Sequence, residues 1–382
     1  MTAIKQVYKC PKCRSPKTVW NLKSRAQRHC KECGNFYTID TQNNLDRDRE
    51  TIKELSLRLK EERRAHEDTT ALLNKFSNMS KKEIKPPNWL APKKTVKKDR
   101  SIASTMLSDC HLDEVVEPCE INYVNGYNRK IAKRRLKLFF ENSIRLSRDH
   151  MSGLTIEGMV LSLGGDMVSG NIHDELKQSN EDGIMGTVFY WVQQLAAGIE
   201  LFANEYDKVH IPCVTGNHGR NSMKPVMKGR VRDNFDWLIY KFLEMHFKND
   251  PSVTFAISGG TDERFKIYDT RYQLTHGDQF RGGSGISGIN TPIMLGDHRK
   301  RQVEVATGTP YDILLMGHFH QRKDFGKVMI NGSLKGYDEF ASKFNFGFEM
   351  PQQWFWLTDS VYGKTITAPV HVYKRGEGWE LD

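Results

Sequence analysis

Five short polar clusters, each following an apolar run, constrain this chain more than any other feature: Asp109-Cys110-His111, Gly165-Asp166, Gly216-Asn217-His218, His276-Gly277-Asp278 and Gly317-His318-Phe319-His320. The runs before them, residues 102–107, 159–163, 209–214, 272–274 and 313–316, read as buried strands that end where the polar residues begin. Open α/β sheets deliver such strand ends to a common edge, where sites form. A pair of divalent ions about 3.5–4 Å apart needs several His or carboxylate ligands and a carboxylate that reaches both. Asp109, His111, Asp166, Asn217, His276, His318 and His320 supply that set. In Asp109-Cys-His111 and His318-Phe-His320 the candidates stand two residues apart, a spacing that on extended backbone turns both toward one ion.

A single Gly-Asp or Gly-Asn pair is ordinarily a turn, and a single histidine ordinarily a satisfied core residue. Five clusters, each after a strand, outweigh that reading. Asp113, Asp174 and Asp278 lie beside the clusters and read as turn, capping or supporting residues. His29, His66, His210, His246, His298 and His371 have no such context.

The order D-x-H, G-D, G-N-H, H, G-H-x-H across residues 101–345 resembles the calcineurin-like metallophosphoesterases, a superfamily that includes nucleases of DNA double-strand-break repair. The resemblance implies an α/β fold with two mixed β-sheets in a sandwich flanked by helices. It implies one metal on Asp109, His111, Asp166 and His320, and a second on Asn217, His276 and His318, with Asp166 bridging. The ions would be Mn first, with Fe, Zn, Ni or Mg as alternatives, and would activate a bridging water for in-line attack on phosphorus. His218 matches the residue that contacts the substrate phosphate and assists the leaving group. Two positions depart from the pattern: Gly219-Arg220 follows G-N-H where many members carry an acidic residue, and Ser169 stands where the nucleases often place a histidine, with His173 out of register. Arg220, beside the cluster, is a candidate phosphate contact.

A second signal lies at the N-terminus. Cys10-Pro-Lys-Cys13 and Cys30-Lys-Glu-Cys33 form C-x2-C-x16-C-x2-C, the spacing of a four-thiolate structural zinc site. Two disulfides are the alternative; with no signal peptide and no long apolar span, a reducing cytoplasm and zinc are favoured. Cys110, Cys119 and Cys213 remain as free thiols. Residues 10–36 also resemble the zinc ribbons of some transposase-associated DNA-binding proteins, and the whole arrangement looks like accessory enzymes of phage or mobile elements in a bacterial host.

Charge separates the parts. Residues 1–100 hold 25 Lys/Arg against 12 Asp/Glu, a net +13, while the whole chain is +10, which leaves −3 for residues 101–382. A cationic ribbon (1–40) and a basic Pro/Lys linker (81–100) suit a polyanion, DNA first, because neutralised phosphates release counterions. Between them, residues 41–80 hold no Gly or Pro and read as a long helix. Leu45, Ile52, Leu59 and Leu73 share a heptad register with His66 interrupting it, and Leu55 and Phe76 fall at the companion position; a short coiled coil would make a homodimer. Asp48, Glu62 and Thr69 weaken that seam, so a spacer is the competing reading.

In the catalytic region, residues 101–382, Gly283-Ser-Gly285-Ile-Ser-Gly288 matches G-x-G-x-x-G but lacks a βαβ setting, and reads instead as part of a loop, residues 277–288, over the metal cleft with Arg281 near phosphate. Arg230 and Arg232 are further phosphate candidates, with a solvated face as the default. Trp354-Phe355-Trp356 reads as a core strand in preference to a base-stacking surface. Helices are expected over 131–146, 188–202 and 235–247. Three functions follow: a nuclease, a phosphatase or phosphodiesterase acting on small molecules or phosphoproteins, and a non-catalytic nucleic-acid scaffold, the last disfavoured by the full ligand set.

Overall fold

A computed structural model describes residues 8–21, 24–80, 87, 100–151, 153–281 and 288–374. The linker read at 81–100 and the Gly283–Gly288 pattern fall almost wholly outside these residues. The chain divides into two compact units, Met1–Lys82 and Glu83–Asp382.

The first unit opens with a three-stranded antiparallel sheet, β1 (Thr18–Asn21), β2 (Ser24–Cys30) and β3 (Phe36–Thr38). Each Cys pair sits on a tight turn: Arg14 N–H donates to the Cys10 carbonyl at 2.8 Å and Gly34 N–H to the Cys30 carbonyl at 3.0 Å. The sheet runs into α1 (Ile39–Ser80), the 42-residue helix that the absence of Gly and Pro predicts. Ile52, Leu55 and Leu59 of the heptad register are exposed in it.

The second unit contains β4 (Arg100–Leu107), α2 (Arg129–Arg145), β5 (Thr155–Leu163), α3 (Asp174–Ser179), α4 (Ile184–Glu205), β6 (Val209–Cys213), α5 (Phe235–His246), β7 (Val253–Ile257), β8 (Asp262–Ile267) and β9 (Thr270–Thr275). It continues with α6 (Asn290–Ala306), β10 (Ile313–Met316), β11 (Lys323–Asp324), β12 (Val328–Ile330), α7 (Glu339–Lys343), β13 (Gln352–Asp359) and β14 (Gly363–His371). One sheet has the order β14-β13-β4-β5-β6-β7, parallel from β4 to β7 with an antiparallel edge; the other has the order β11-β12-β10-β9-β8, also mixed. Every run read as a strand before a polar cluster is one.

The two sheets face each other across Ile102, Met106 and Val160 on one side and Phe265, Tyr272 and Leu315 on the other. The outer face of the first sheet buries Leu136 and Phe139 of α2, Trp191 and Phe202 of α4 and Ile239 of α5, while α6 covers the second sheet through Ile293. The period-two rule is visible in β13: Trp354 and Trp356 point between the sheets and Phe355 toward the helices, all three buried, so this run is core and cannot stack bases.

Candidate metal centre

The seven candidate ligands converge at the carboxyl ends of β4, β5, β9 and β10 and in the loop after β6. Three groups have donor atoms within 4.8 Å of one another: Asp109, His111 and His320; His111, Asp166 and His218; and Asp166, His276 and His318. Asn217 joins the third group, its Oδ1 3.1 Å from His276 Nε2. His318 and His320 therefore serve different groups, although their spacing suggested one ion. The extended backbone assumed for both two-residue spacings is also absent. Asp109, His111, Asp166, His318 and His320 all adopt left-handed φ values, from 45° to 69°. Non-glycine residues adopt that region at a cost of order 1–3 kcal/mol each, and such residues cluster where geometry serves a site.

The glycines of the clusters make room for the carboxylates. A Cβ on Gly216 would lie 2.0 Å from Asp166 Oδ1, and one on Gly317 would lie 2.3 Å from Asp109 Oδ2. The carboxylates are in turn fixed by backbone. His218 N–H donates to Asp166 Oδ1 at 2.7 Å, and His318 N–H donates to Asp109 Oδ1 at 2.8 Å. Each motif thus orients a candidate ligand of another motif.

The donor set fits cations. His276 Nδ1 lies 2.9 Å from the Gly164 carbonyl, which can only accept, so the ring proton sits there. Nε2 then faces Asp166 Oδ2 at 3.0 Å. That pair demands positive charge at its centre, either from an ion or from the ring itself. Burial alone would depress the His276 pKa, yet the Asp166 charge raises it to about 10. His111 Nε2 and His320 Nε2 oppose each other at 3.1 Å, with His320 Nε2 3.5 Å from Asp109 Oδ1. Two imidazole nitrogens and a carboxylate at such separations match ligands sharing one ion. Despite burial, Asp109 is held below the usual carboxylate range by His320, and Asp166 well below it by His276 and His218.

His218 donates from Nδ1 to the Ser169 carbonyl at 3.0 Å, and burial followed by the His111 charge lowers its pKa to about 3. The Ser169 carbonyl can only accept, so a ring proton sits on Nδ1. Arg220 spends three of its N–H groups on backbone: Nε on the Ser222 carbonyl, and the two terminal nitrogens on the carbonyls of Asn217 and Met223. It clamps the loop after Asn217. Arg230 pairs with Asp278 at 3.0 and 3.1 Å, and Arg232 and Arg281 are exposed.

Several supporting residues escaped the sequence reading. Glu114 Oε2 lies 3.2 Å from His111 Nδ1, off the line of a well-aligned hydrogen bond, while its Oε1 meets Lys335 Nζ at 2.7 Å. Lys335, buried, also meets Asp338 at 2.5 Å. Asn331 donates to Ser108 Oγ at 2.9 Å and to Gln353 Oε1 at 2.6 Å, and Ser108 Oγ donates to Asp109 Oδ2. Asn331 directly follows β12, so the signature of a strand ending in polar residues was present there without a His or Asp to mark it. Asp113 is scaffold: it accepts from Arg129, Thr187 and Trp191.

In the N-terminal unit the sulfurs of Cys10, Cys13, Cys30 and Cys33 lie within 4.8 Å of one another, with Cys10–Cys33 and Cys13–Cys30 at 3.5 Å. These are separations of thiolates around one tetrahedral ion, far beyond the ~2.05 Å of a disulfide.

No protein-family model and no curated protein matches the chain. Among solved structures it is similar to a conserved uncharacterized protein, a predicted phosphoesterase, from Streptococcus pneumoniae, at 14% identity and a TM-score of 0.30 over 72% of this chain and 94% of that one. It is also similar to the phosphopantetheinyl hydrolase of Mycobacterium tuberculosis, at 9% identity and a TM-score of 0.25 over 62% of this chain and 89% of that one. Likeness at this level leaves the functional assignment to the geometry of the site. No helix among the described residues is long and apolar enough to cross a membrane.

Proposed function

We propose that the protein is a dinuclear-metal phosphoesterase that hydrolyses nucleic-acid phosphodiester bonds. The observation that carries the reading is Asp166, whose buried carboxylate belongs to two histidine-containing groups at once. Asp109, His111, Asp166 and His320 would hold one ion, and Asp166, Asn217, His276 and His318 the other. When bound, the ions would supply Lewis acidity toward phosphoryl oxygens and acidify a water between them. The chain positions the rest. Asp236, at the start of α5, accepts the Asp166 backbone N–H at 2.9 Å, the Ser169 carbonyl sets the His218 ring, and Arg220 holds the loop that carries Asn217 and His218. His218, its Nδ1 proton fixed on the Ser169 carbonyl, would contact the phosphate from Nε2 when that nitrogen also carries a proton. The Cys10, Cys13, Cys30 and Cys33 cluster would hold zinc.

Nucleic acid is favoured as substrate because the +13 of residues 1–100 is segregated from a catalytic region of −3. That same negative balance supports the second reading, a phosphatase or phosphodiesterase for smaller substrates. Single- and double-stranded DNA, RNA and a small chromogenic phosphodiester, each assayed with added Mn, separate the two. Asp166→Asn should abolish hydrolysis of every substrate in that panel while the thermal melt stays cooperative. Near-normal turnover with metal content unchanged would remove the two-metal assignment.

A further inference from the structure

The segment that carries α7, residues 339–348, holds an aromatic cluster that the fold does not bury. Phe340, Phe344 and Phe346 are 60%, 54% and 44% exposed, and their ring centroids lie 4.7 Å (Phe340 to Phe344), 5.7 Å (Phe340 to Phe346) and 6.3 Å (Phe344 to Phe346) apart. Phe348, also exposed, lies 5.6 Å from the Tyr337 ring. Exposed apolar patches of this kind mark binding surfaces.

The segment is anchored to the metal loop at both ends. At its start Asp338 caps α7 by accepting from Ala341 N–H at 2.8 Å and pairs with Lys335, which pairs in turn with the Glu114 beside His111. At its end the Gly347 carbonyl accepts from Gln321 Nε2 at 3.2 Å, and Glu349 accepts the Arg322 backbone N–H at 2.9 and 3.0 Å. Gln321 and Arg322 directly follow His320. The rings are therefore held in register with a metal ligand.

We propose that Phe340, Phe344 and Phe346 form a stacking platform for the unpaired bases that flank the scissile phosphate, so that the substrate is single-stranded or splayed nucleic acid. The inference rests on the nuclease reading. The composition of the segment selects this occupant. Its rings are interleaved with Ser342, Lys343, Asn345 and Gly347, so it lacks the continuous aliphatic face that a protein helix or a lipid would need. Base stacking on aromatic rings requires no such continuity and tolerates any sequence. Lys343, its Nζ 6.0 Å from the Phe344 ring, adds a cation for the adjacent phosphate. Bases in a duplex hide their faces from such a surface.

The test uses the full chain and labelled 20-mers of single-stranded DNA and RNA, together with an abasic strand of the same length and charge. The wild type should bind base-bearing strands at least about five-fold more tightly than the abasic strand, from the usual worth of a stacked base. The triple variant Phe340→Ala, Phe344→Ala, Phe346→Ala should erase that difference, and Phe344→Tyr should retain it. Metal content and thermal melting report that the variants are folded. If the wild type cuts strands but the triple variant still distinguishes bases from abasic sites, the platform is wrong and the nuclease reading stands. If the wild type hydrolyses a chromogenic phosphodiester but no strand of any kind, the nuclease reading fails and takes the platform with it. A wild-type dimer that the triple variant dissolves, with strand affinity unchanged, assigns the patch to a second copy of the chain and overturns the proposal.

Discussion

The carboxylate of Asp236 accepts the backbone N–H of Asp166 at 2.9 Å, from the first turn of α5, a helix that carries none of the candidate ligands. The same carboxylate accepts Met167 N–H at 3.0 Å and Gly216 N–H at 2.8 Å, so one buried side chain ties the loop after β5 to the loop after β6. Burial and the charge of Asp166 raise its pKa to about 6, against the pull of the Gly216 hydrogen bond.

Asp236→Asn keeps the shape and turns one acceptor into a donor that faces backbone N–H groups. Leaving buried donors unmatched costs ~1–3 kcal/mol each. The variant should unfold at a lower urea midpoint by about that amount and lose affinity for the metal that Asn217, His276 and His318 would hold, read by calorimetric titration. Unchanged metal affinity in a folded variant would make Asp236 a stability residue only.

Lys335 pairs with both Glu114 and Asp338 in a buried cluster, and its pKa is raised by both carboxylates in spite of burial. Lys335→Met should therefore destabilise by about 3–5 kcal/mol, the cost of stranding buried charge. Adding Glu114→Gln should recover part of that loss, so the double variant should be more stable than the sum of the single changes indicates. Strict additivity in denaturant unfolding would show that the two residues do not interact.

His210 on β6 sits 5% exposed with Nδ1 3.0 Å from Thr254 Oγ1, and burial lowers its pKa to about 4. Its unfolded value is about 6.5. As pH falls, the unfolded chain takes up the proton first, so the stability tied to the neutral ring is complete above about pH 6.5 and lost progressively toward pH 4. Fully developed, the loss is about 3 kcal/mol. His210→Leu should flatten the stability profile over that window relative to wild type. Parallel profiles in urea titrations from pH 7 to pH 4 would contradict the assignment.

How much of this was legible in the sequence depends on the link concerned. The strands before Asp109, Asp166, Asn217, His276 and His318 were readable because each is an apolar run of strand length, and the helices because α2, α4 and α5 carry apolar faces at helical spacing. Convergence of the ligands followed from strand ends meeting at one edge. How the ligands point did not follow. A two-residue spacing says nothing of the left-handed φ at Asp109, His111, His318 and His320, nor of the Asp166 and Asp109 carboxylates packing against Gly216 and Gly317 of other clusters. Asp236, Glu114 and Lys335 were invisible because a buried carboxylate or lysine has the same letter as an exposed one, and only tertiary packing distinguishes them. Trp354-Phe355-Trp356 reads as a core strand and is one, with alternation burying all three rings; the exposed rings of Phe340, Phe344 and Phe346 lie in a short helix and turn with no period to read.

The division of labour between the two units makes the last prediction. With zinc held by Cys10, Cys13, Cys30 and Cys33, protein carrying Asp109→Asn and Asp166→Asn should retain one zinc per chain by elemental analysis, and chelation should release it with loss of the β1–β3 sheet. Deleting residues 1–100 removes +13 of charge, so strand affinity should fall and the slope of log affinity against log salt should flatten, because fewer counterions are displaced from the phosphates. Hydrolysis of a small chromogenic phosphodiester should persist in the truncated protein, since every candidate ligand lies between Asp109 and His320. Equal strand affinity and equal salt slope with and without the N-terminal unit would sever it from nucleic acid. The negative balance of the catalytic region would then favour a phosphatase, with the cysteine cluster facing a protein partner.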